Sequence, residues 1–163
     1  MGVSGCGKST LGAALAAHLG WDFVEGDAHH PAANVAKMRS GTPLNDADRA
    51  PWLAALAQML STQPQIVLSC SALKASYRAV LAGTNPSQVL FVHVQGSFEE
   101  ISARLARAVH GDRAGHYMPN TLLQSQFDAL ELPQEPSIHS ISVGFTQTTA
   151  QQINAVATHW LAA

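Results

Sequence analysis

The sequence predicts an α/β fold: a parallel sheet with helices on both faces, a three-layer αβα domain over residues 1–163. Three observations point there. Short apolar runs such as IVLSC (66–70) and VLFVHV (89–94) alternate with helical patterns. These runs are continuously apolar, as strands buried on both faces are. The chain also opens with GVSGCGKS (2–9), a match to G-x-x-x-x-G-K-[ST], the loop that leads from a strand into a helix around a phosphate.

The elements follow in order. TLGAALAAHLG is rich in Ala and Leu and stops at Gly20, a good residue just past a helix end. WDFVE (21–25) reads as a strand. Pro31 suits the first position of a helix that runs to about Ser40, where Gly41-Thr42-Pro43 breaks it. A longer helix spans about Asp46 to Ser61, with Pro51 tolerable only near its start. IVLSC is a buried strand, and SYRAVLA a helix ending at Gly83. VLFVHV is a strand and SFEEISARLARAV a helix. HGDRAGHYM (110–118) has no periodicity and is expected to be a mobile loop. NTLLQSQFDAL (120–130) is helical, SIHSISV (137–143) is a last strand, and Thr148 or Thr149 caps a final helix ending near Trp160.

Composition narrows the function. Net charge is −2, only 12% of residues are charged, and no basic run is present, which argues against a nucleic-acid partner. No apolar stretch reaches membrane-spanning length, and no signal peptide is visible; a cytoplasmic protein is expected. Cys6 and Cys70 do not make a disulfide framework. The 8 histidines show no metal-ligand spacing. The 9 cations cluster in loops and helix starts, where they suit anionic ligands, except Arg39 and Arg107, which read as surface residues.

The opening loop defines a chemistry. Gly2, Gly5 and Gly7 let the backbone curl so that its N–H groups face phosphate oxygens, with Val3, Ser4 and Cys6 between them. Lys8 reaches the β- and γ-phosphates of a nucleotide, Ser9 can place its hydroxyl on Mg²⁺, and Thr10 continues the helix whose N-terminal dipole faces the anion. Cys6 at that helix start is expected to make nucleotide binding sensitive to oxidants, unless it merely replaces a serine.

A phosphoryl transfer to a hydroxyl needs a carboxylate to accept or orient the proton. Asp27 stands two residues beyond Glu25 at a strand end and is the candidate; Glu25 could orient waters on Mg²⁺. The competing reading makes Asp27 the cap of the next helix. Arg49 can bind an acceptor carboxylate bidentately, or pair with Asp46 or Asp48 on the helix surface. Lys37 stands in the same block. Lys74 lies just past a strand end with Arg78 one turn later, so both are expected to face the cleft.

Taken together, GVSGCGKST, FVEGDAHHPAANVAKMRSGTPLNDADRAPWL, CSALKASYR and GHYMPNTLLQSQFDALELP resemble the gluconate kinase (gluconokinase) family, in the family's order and over nearly the whole chain. The resemblance implies a P-loop kinase fold like that of adenylate and shikimate kinases. It implies ATP- and Mg²⁺-dependent phosphorylation of D-gluconate to 6-phosphogluconate, and a homodimer. By position, Gly5, Gly7, Lys8, Ser9 and Thr10 would hold ATP and metal, Asp27 would be the base, and His30, Lys37, Arg49, Lys74 and Arg78 would line the gluconate site.

Two departures from the family pattern stand out. The family carries a strand before the loop, and Met1 leaves no room for it; translation is expected to start upstream, with Met1 an internal methionine. The lid segment, about 104–118, carries a few extra residues near AVHGD, so Arg104, Arg107 and Arg113 compete to close over the phosphates. Arg113, between Gly111 and Gly115, is favoured, with Arg104 second. Competing accounts are a kinase of another small hydroxy acid and a truncated nucleotide-binding relative without activity. No N-K-x-D guanine signature supports a GTPase switch.

Overall fold

A computed structural model describes residues 1–109 and 120–162. The predicted loop 110–118, with Arg113, Gly111, Gly115, His110 and His116, lies outside them. Helix α1 (Lys8–Leu19) ends at Gly20, whose left-handed backbone closes the last turn. It is followed by β1 (Asp22–Glu25), α2 (Ala32–Arg39), α3 (Asp46–Thr62), β2 (Ile66–Ser69), α4 (Ala75–Ala82), β3 (Leu90–Gln95), α5 (Phe98–Val109), α6 (Asn120–Asp128), β4 (His139–Gly144) and α7 (Thr149–Ala162). Every element read from the sequence is present. Two 3₁₀ turns, Gly26–His29 and Pro86–Gln88, are additions.

The strands form two parallel pairs. β1 pairs with β2 from Asp22↔Ile66 to Glu25↔Ser69, and β3 with β4 from Leu90↔His139 to Gln95↔Gly144. Where the sequence anticipates one continuous sheet, the described residues give two, bridged by the first two residues. Gly2 N–H donates to Ser71 O at 3.1 Å, Val94 N–H to Met1 O at 3.0 Å, and the Met1 amine to Val92 O. The backbone of Met1 and Gly2 therefore runs between the end of β2 and β3, and it delivers the loop to the carboxyl ends of both pairs.

Two apolar cores cover the strands. On one side Leu11 and Leu15 of α1, Ile101 of α5, Leu123 of α6 and Val156 of α7 pack with Val94 and Val143. On the other, Trp52, Leu53 and Leu56 of α3 meet Tyr77, Leu81 and Ala82 of α4 with Cys70 and Phe91. α3 starts with a capping box, in which Asn45 accepts from Asp48 N–H and Asp48 accepts from Asn45 N–H. That start tolerates Pro51 in the second turn.

Candidate functional site

The loop has the shape its glycines permit. Gly5 and Gly7 hold φ of +80° and +106°, a region that L side chains rarely enter. A Cβ on Gly5 would stand 2.7 Å from Leu105 of α5, and one on Gly7 would stand 3.3 Å from the Arg104 guanidinium. Lys8 Nζ folds back on Val3 O at 3.0 Å. The first N–H groups of α1 have no intrahelical acceptor and are available to an anion held at the loop. Ser9 and Thr10 lie exposed on that first turn. Their hydroxyls are thus accessible to a nucleotide or its metal.

Arg104 therefore stands at the loop itself, its guanidinium 5.2 Å from the centre of the Phe145 ring. Arg107 is exposed. Of the arginines considered for closing over the phosphates, Arg104 is the one that stands beside Gly7 among the described residues. A further loop contact escaped the sequence. Gln126 of α6 accepts from Ser4 N–H at 2.6 Å and donates to Ser4 Oγ at 3.1 Å. No motif marks Gln126, because its role exists only once α6 packs beside the loop.

Cys6 is 2% exposed, its thiol turned into the apolar core. This corrects the expectation of an oxidant-sensitive loop, since oxidation needs access to the sulfur. Cys70 is buried too, and desolvation pushes its thiol up to about 11.

The second part of the site grows from the carboxyl end of β1. Glu25 ends that strand, and Asp27 is exposed in the following 3₁₀ turn. Helix α2 begins after Pro31 with no side-chain cap, so the capping role weighed for Asp27 is not the one it plays. Gly26 is fixed by close approach, because a Cβ there would meet Ser69 O of β2 at 2.5 Å. Trp52 Nε1 donates to Gly26 O at 2.8 Å and locks the turn onto α3.

His30 stacks on Trp52, centroids 4.1 Å apart and planes within 18°. Burial lowers its pKa, with the Arg49 charge acting in the same direction and Asp27 against. That shift favours the neutral imidazole. Its buried Nδ1 has no partner among the described residues. An unsatisfied buried nitrogen beside a carboxylate and a guanidinium invites a ligand hydroxyl.

The predicted acceptor cations divide into three kinds. Arg49 NH1 donates to Leu44 O and approaches Tyr77 Oη at 3.5 Å, and the guanidinium lies 5.8 Å from the Tyr77 ring centre. It makes no ion pair among the described residues, which removes the surface pairing with Asp46 or Asp48. Lys37 and Lys74 are each matched by an acid of α3. Lys37 meets Asp48 at 2.6 Å, and Lys74 meets both Asp46 oxygens at 2.8 and 2.9 Å. Those bonds hold both carboxyls below the usual carboxylate range.

Arg78 is a correction. It does not face the cleft beside Lys74. Its side chain is 0% exposed, bonded to Glu135 and to the carbonyls of Ala72, Leu73 and Glu131. Lys74 occupies the N-cap position of α4 with its side chain partly exposed on Asp46, and one turn later the same helix turns Arg78 into the core.

The residues fit a metal–nucleotide complex. No group of three or more His, Cys, Asp or Glu among the described residues could hold an ion. Mg²⁺ is usually held through phosphates, waters and one or two protein oxygens, not by a protein cage. Ser9 on α1 and Glu25 at the end of β1 offer that minimal set. No helix among the described residues is long and apolar enough to cross a membrane.

Comparison with known proteins agrees with this architecture. A family model described as shikimate kinase matches residues 4–163. A gluconokinase from Gluconobacter oxydans (strain 621H) is 51% identical over 144 residues, covering 85% of this chain and 78% of the relative. A probable gluconokinase from Xenopus tropicalis is 46% identical over 154 residues, covering 83% and 78%. The chain belongs to the gluconokinase family. The crystal structure of a gluconokinase from Sinorhizobium meliloti 1021 superposes with a TM-score of 0.87 at 41% identity, covering 99% of this chain and 89% of that one. The chain is thus a kinase with the αβα fold of shikimate- and adenylate-kinase-like proteins, as its sequence predicts.

Proposed function

We propose that this kinase transfers the γ-phosphoryl group of ATP to D-gluconate, giving 6-phospho-D-gluconate. The observation that carries the acceptor assignment is Arg49. In a chain with only 9 Lys and Arg, a guanidinium with no acidic partner among the described residues stands among groups that its charge reaches, His30, Asp46 and Asp48. A polyhydroxylated carboxylate matches that setting, with its carboxylate for the cations and its hydroxyls for His30 and Asp27.

The roles then follow. The loop amides and Lys8 hold the nucleotide phosphates, and Arg104 lies beside Gly7 to offset charge on the transferring group. The sequence assigns the same duty to Arg113, which lies outside the described residues. Asp27 accepts the proton of the attacking hydroxyl, and His30 orients the acceptor from its Trp52 platform. Ser9 and, through water, Glu25 would hold Mg²⁺, which would supply positive charge to the phosphates. The enzyme acts in the cytoplasm as a homodimer and needs neither nucleic acid nor membrane.

The test is ADP release with Mg-ATP and D-gluconate, run beside shikimate, gluconate epimers and AMP. Turnover with gluconate alone is expected. Turnover with shikimate instead would favour the acceptor named by the matching family model. Nucleotide binding without turnover on any acceptor would leave a nucleotide-binding relative.

A further inference from the structure

Around Asp46 the structure builds a receptor for a carboxylate. Lys74 Nζ donates to both oxygens, at 2.8 and 2.9 Å, and Tyr77 Oη donates to Oδ1. Arg49 stands behind the phenol, 3.5 Å from Tyr77 Oη. Tyr77 itself is fixed, its ring buried in the α3–α4 core and 6% exposed. Three donor contacts from the first turn of α4 therefore converge on one carboxylate of α3. The present occupant belongs to the protein.

The cap of α3 does not require Asp46 there. The start of α3 is already closed by the reciprocal Asn45–Asp48 cap, so this carboxylate is free of capping duty. The pair is open to water, with the Asp46 side chain 64% and the Lys74 side chain 32% exposed. Exposed ion pairs are weak and exchange readily. Asp46 is thus held by good geometry at a low energetic cost of release.

Resting on the gluconate reading above, we infer that Asp46 is a resident stand-in for the acceptor's carboxylate: the acceptor displaces it and takes over Lys74 and Tyr77. The exchange swaps one carboxylate for another on the same donors, and no bond is made or broken. It sets specificity. A neutral polyol cannot replace the charge on Lys74 and leaves Asp46 in place, whereas a sugar acid can. The site then discriminates by competition with its own side chain, at the expense of some affinity for the correct acceptor.

Calorimetric titration of the whole chain with D-gluconate and with sorbitol, for wild type, Asp46→Ala and Asp46→Asn, tests this. Vacating the receptor is expected to tighten gluconate about threefold to fivefold, the scale of an exposed ion pair. Sorbitol affinity should not change. In a Lys74→Met background, removing Asp46 should no longer tighten gluconate. Weaker gluconate binding in both Asp46 variants would overturn the proposal, since Asp46 would then be holding the acceptor directly. Unchanged binding would overturn it too, as would no gluconate binding to any variant. The kinase reading is judged separately by ADP release. Tightened binding without turnover would keep the exchange and reject gluconate as a phosphoryl acceptor; turnover with unchanged binding would do the reverse.

Discussion

Replacing Arg78 by alanine should destabilise the domain without touching the cleft. The guanidinium is fully buried and spans from the start of α4 to residues 131–135. Its Nε and NH2 engage Glu135, while NH1 serves the carbonyls of Ala72, Leu73 and Glu131. Removing one partner of a buried pair usually costs about 3–5 kcal/mol, because the other charge stays behind unpaired. Glu135 is 25% exposed and regains some hydration, which moves the loss toward about 3 kcal/mol. The orphaned carbonyls add about 1 kcal/mol or more each where water cannot reach them. A loss of about 3–6 kcal/mol corresponds to roughly 6–24 °C in Tm for a domain of this size. Urea unfolding followed by far-UV circular dichroism measures it. Burial works against ionised Glu135, but the Arg78 hydrogen bond and charge outweigh it and lower its pKa in the fold. Stability from that pair is therefore fully present above the ordinary carboxylate pKa and is lost as pH falls through the lowered value. Glu135→Gln should flatten that acid limb. An Arg78→Ala protein less than about 1 kcal/mol weaker than wild type, yet poor in gluconate turnover, would refute the framework role and return Arg78 to the acceptor site.

Gly7→Ala should raise KM for ATP at least about tenfold with little change for the acceptor, because the added methyl meets Arg104 and the φ of +106° suits only glycine. Parallel KM measurements for the two substrates check it. Arg104→Ala should lower kcat by about 10²-fold or more, while Arg107→Ala, on an exposed position, should leave it unchanged; steady-state kinetics on the two variants separates them. His93 of β3, 2% exposed, has its pKa lowered to about 4, chiefly by burial. Its neutral form stabilises the fold above pH about 6.5, and that contribution fades as pH falls toward about 4. The full difference is worth about 3 kcal/mol, so His93→Phe should give a flatter unfolding profile across that window. Native Cys6 should react with a bulky disulfide reagent far more slowly than in urea; equal rates would contradict its burial.

The element order was legible because β2 and β3 are short, largely apolar runs and α1 and α4 carry their own stop signals, Gly20 and Gly83. The loop was legible because its chemistry is local, with glycines, a lysine and a hydroxyl fixed by spacing. The acceptor side was legible only as a set of residue types. Lys74 and Arg78 stand one turn apart on the same helix, and spacing alone places both in the cleft. What separates them is Glu135, distant in sequence, which offers Arg78 a buried carboxylate. Tyr77 and Gln126 gave no signal for the same reason. One acts through Asp46 and the other through Ser4, contacts that exist only once helices pack.

The start of α3 shows how a chain with so few charges can hold a multiply charged substrate. Asp46 and Asp48 occupy its first turn, where the helix dipole favours carboxylates, and each takes one lysine from a neighbouring element. Lys37 and Lys74 are thus positioned and neutralised together. Arg49 on the same turn is left without a carboxylate among the described residues. The cluster of three cations and two acids therefore carries a net charge near +1. An acceptor with a single carboxylate brings that balance close to zero. A displaced Asp46 stays on this turn and in the count, so a dianionic acceptor would overshoot the balance, and charge at this one turn favours monocarboxylates before any hydroxyl is read.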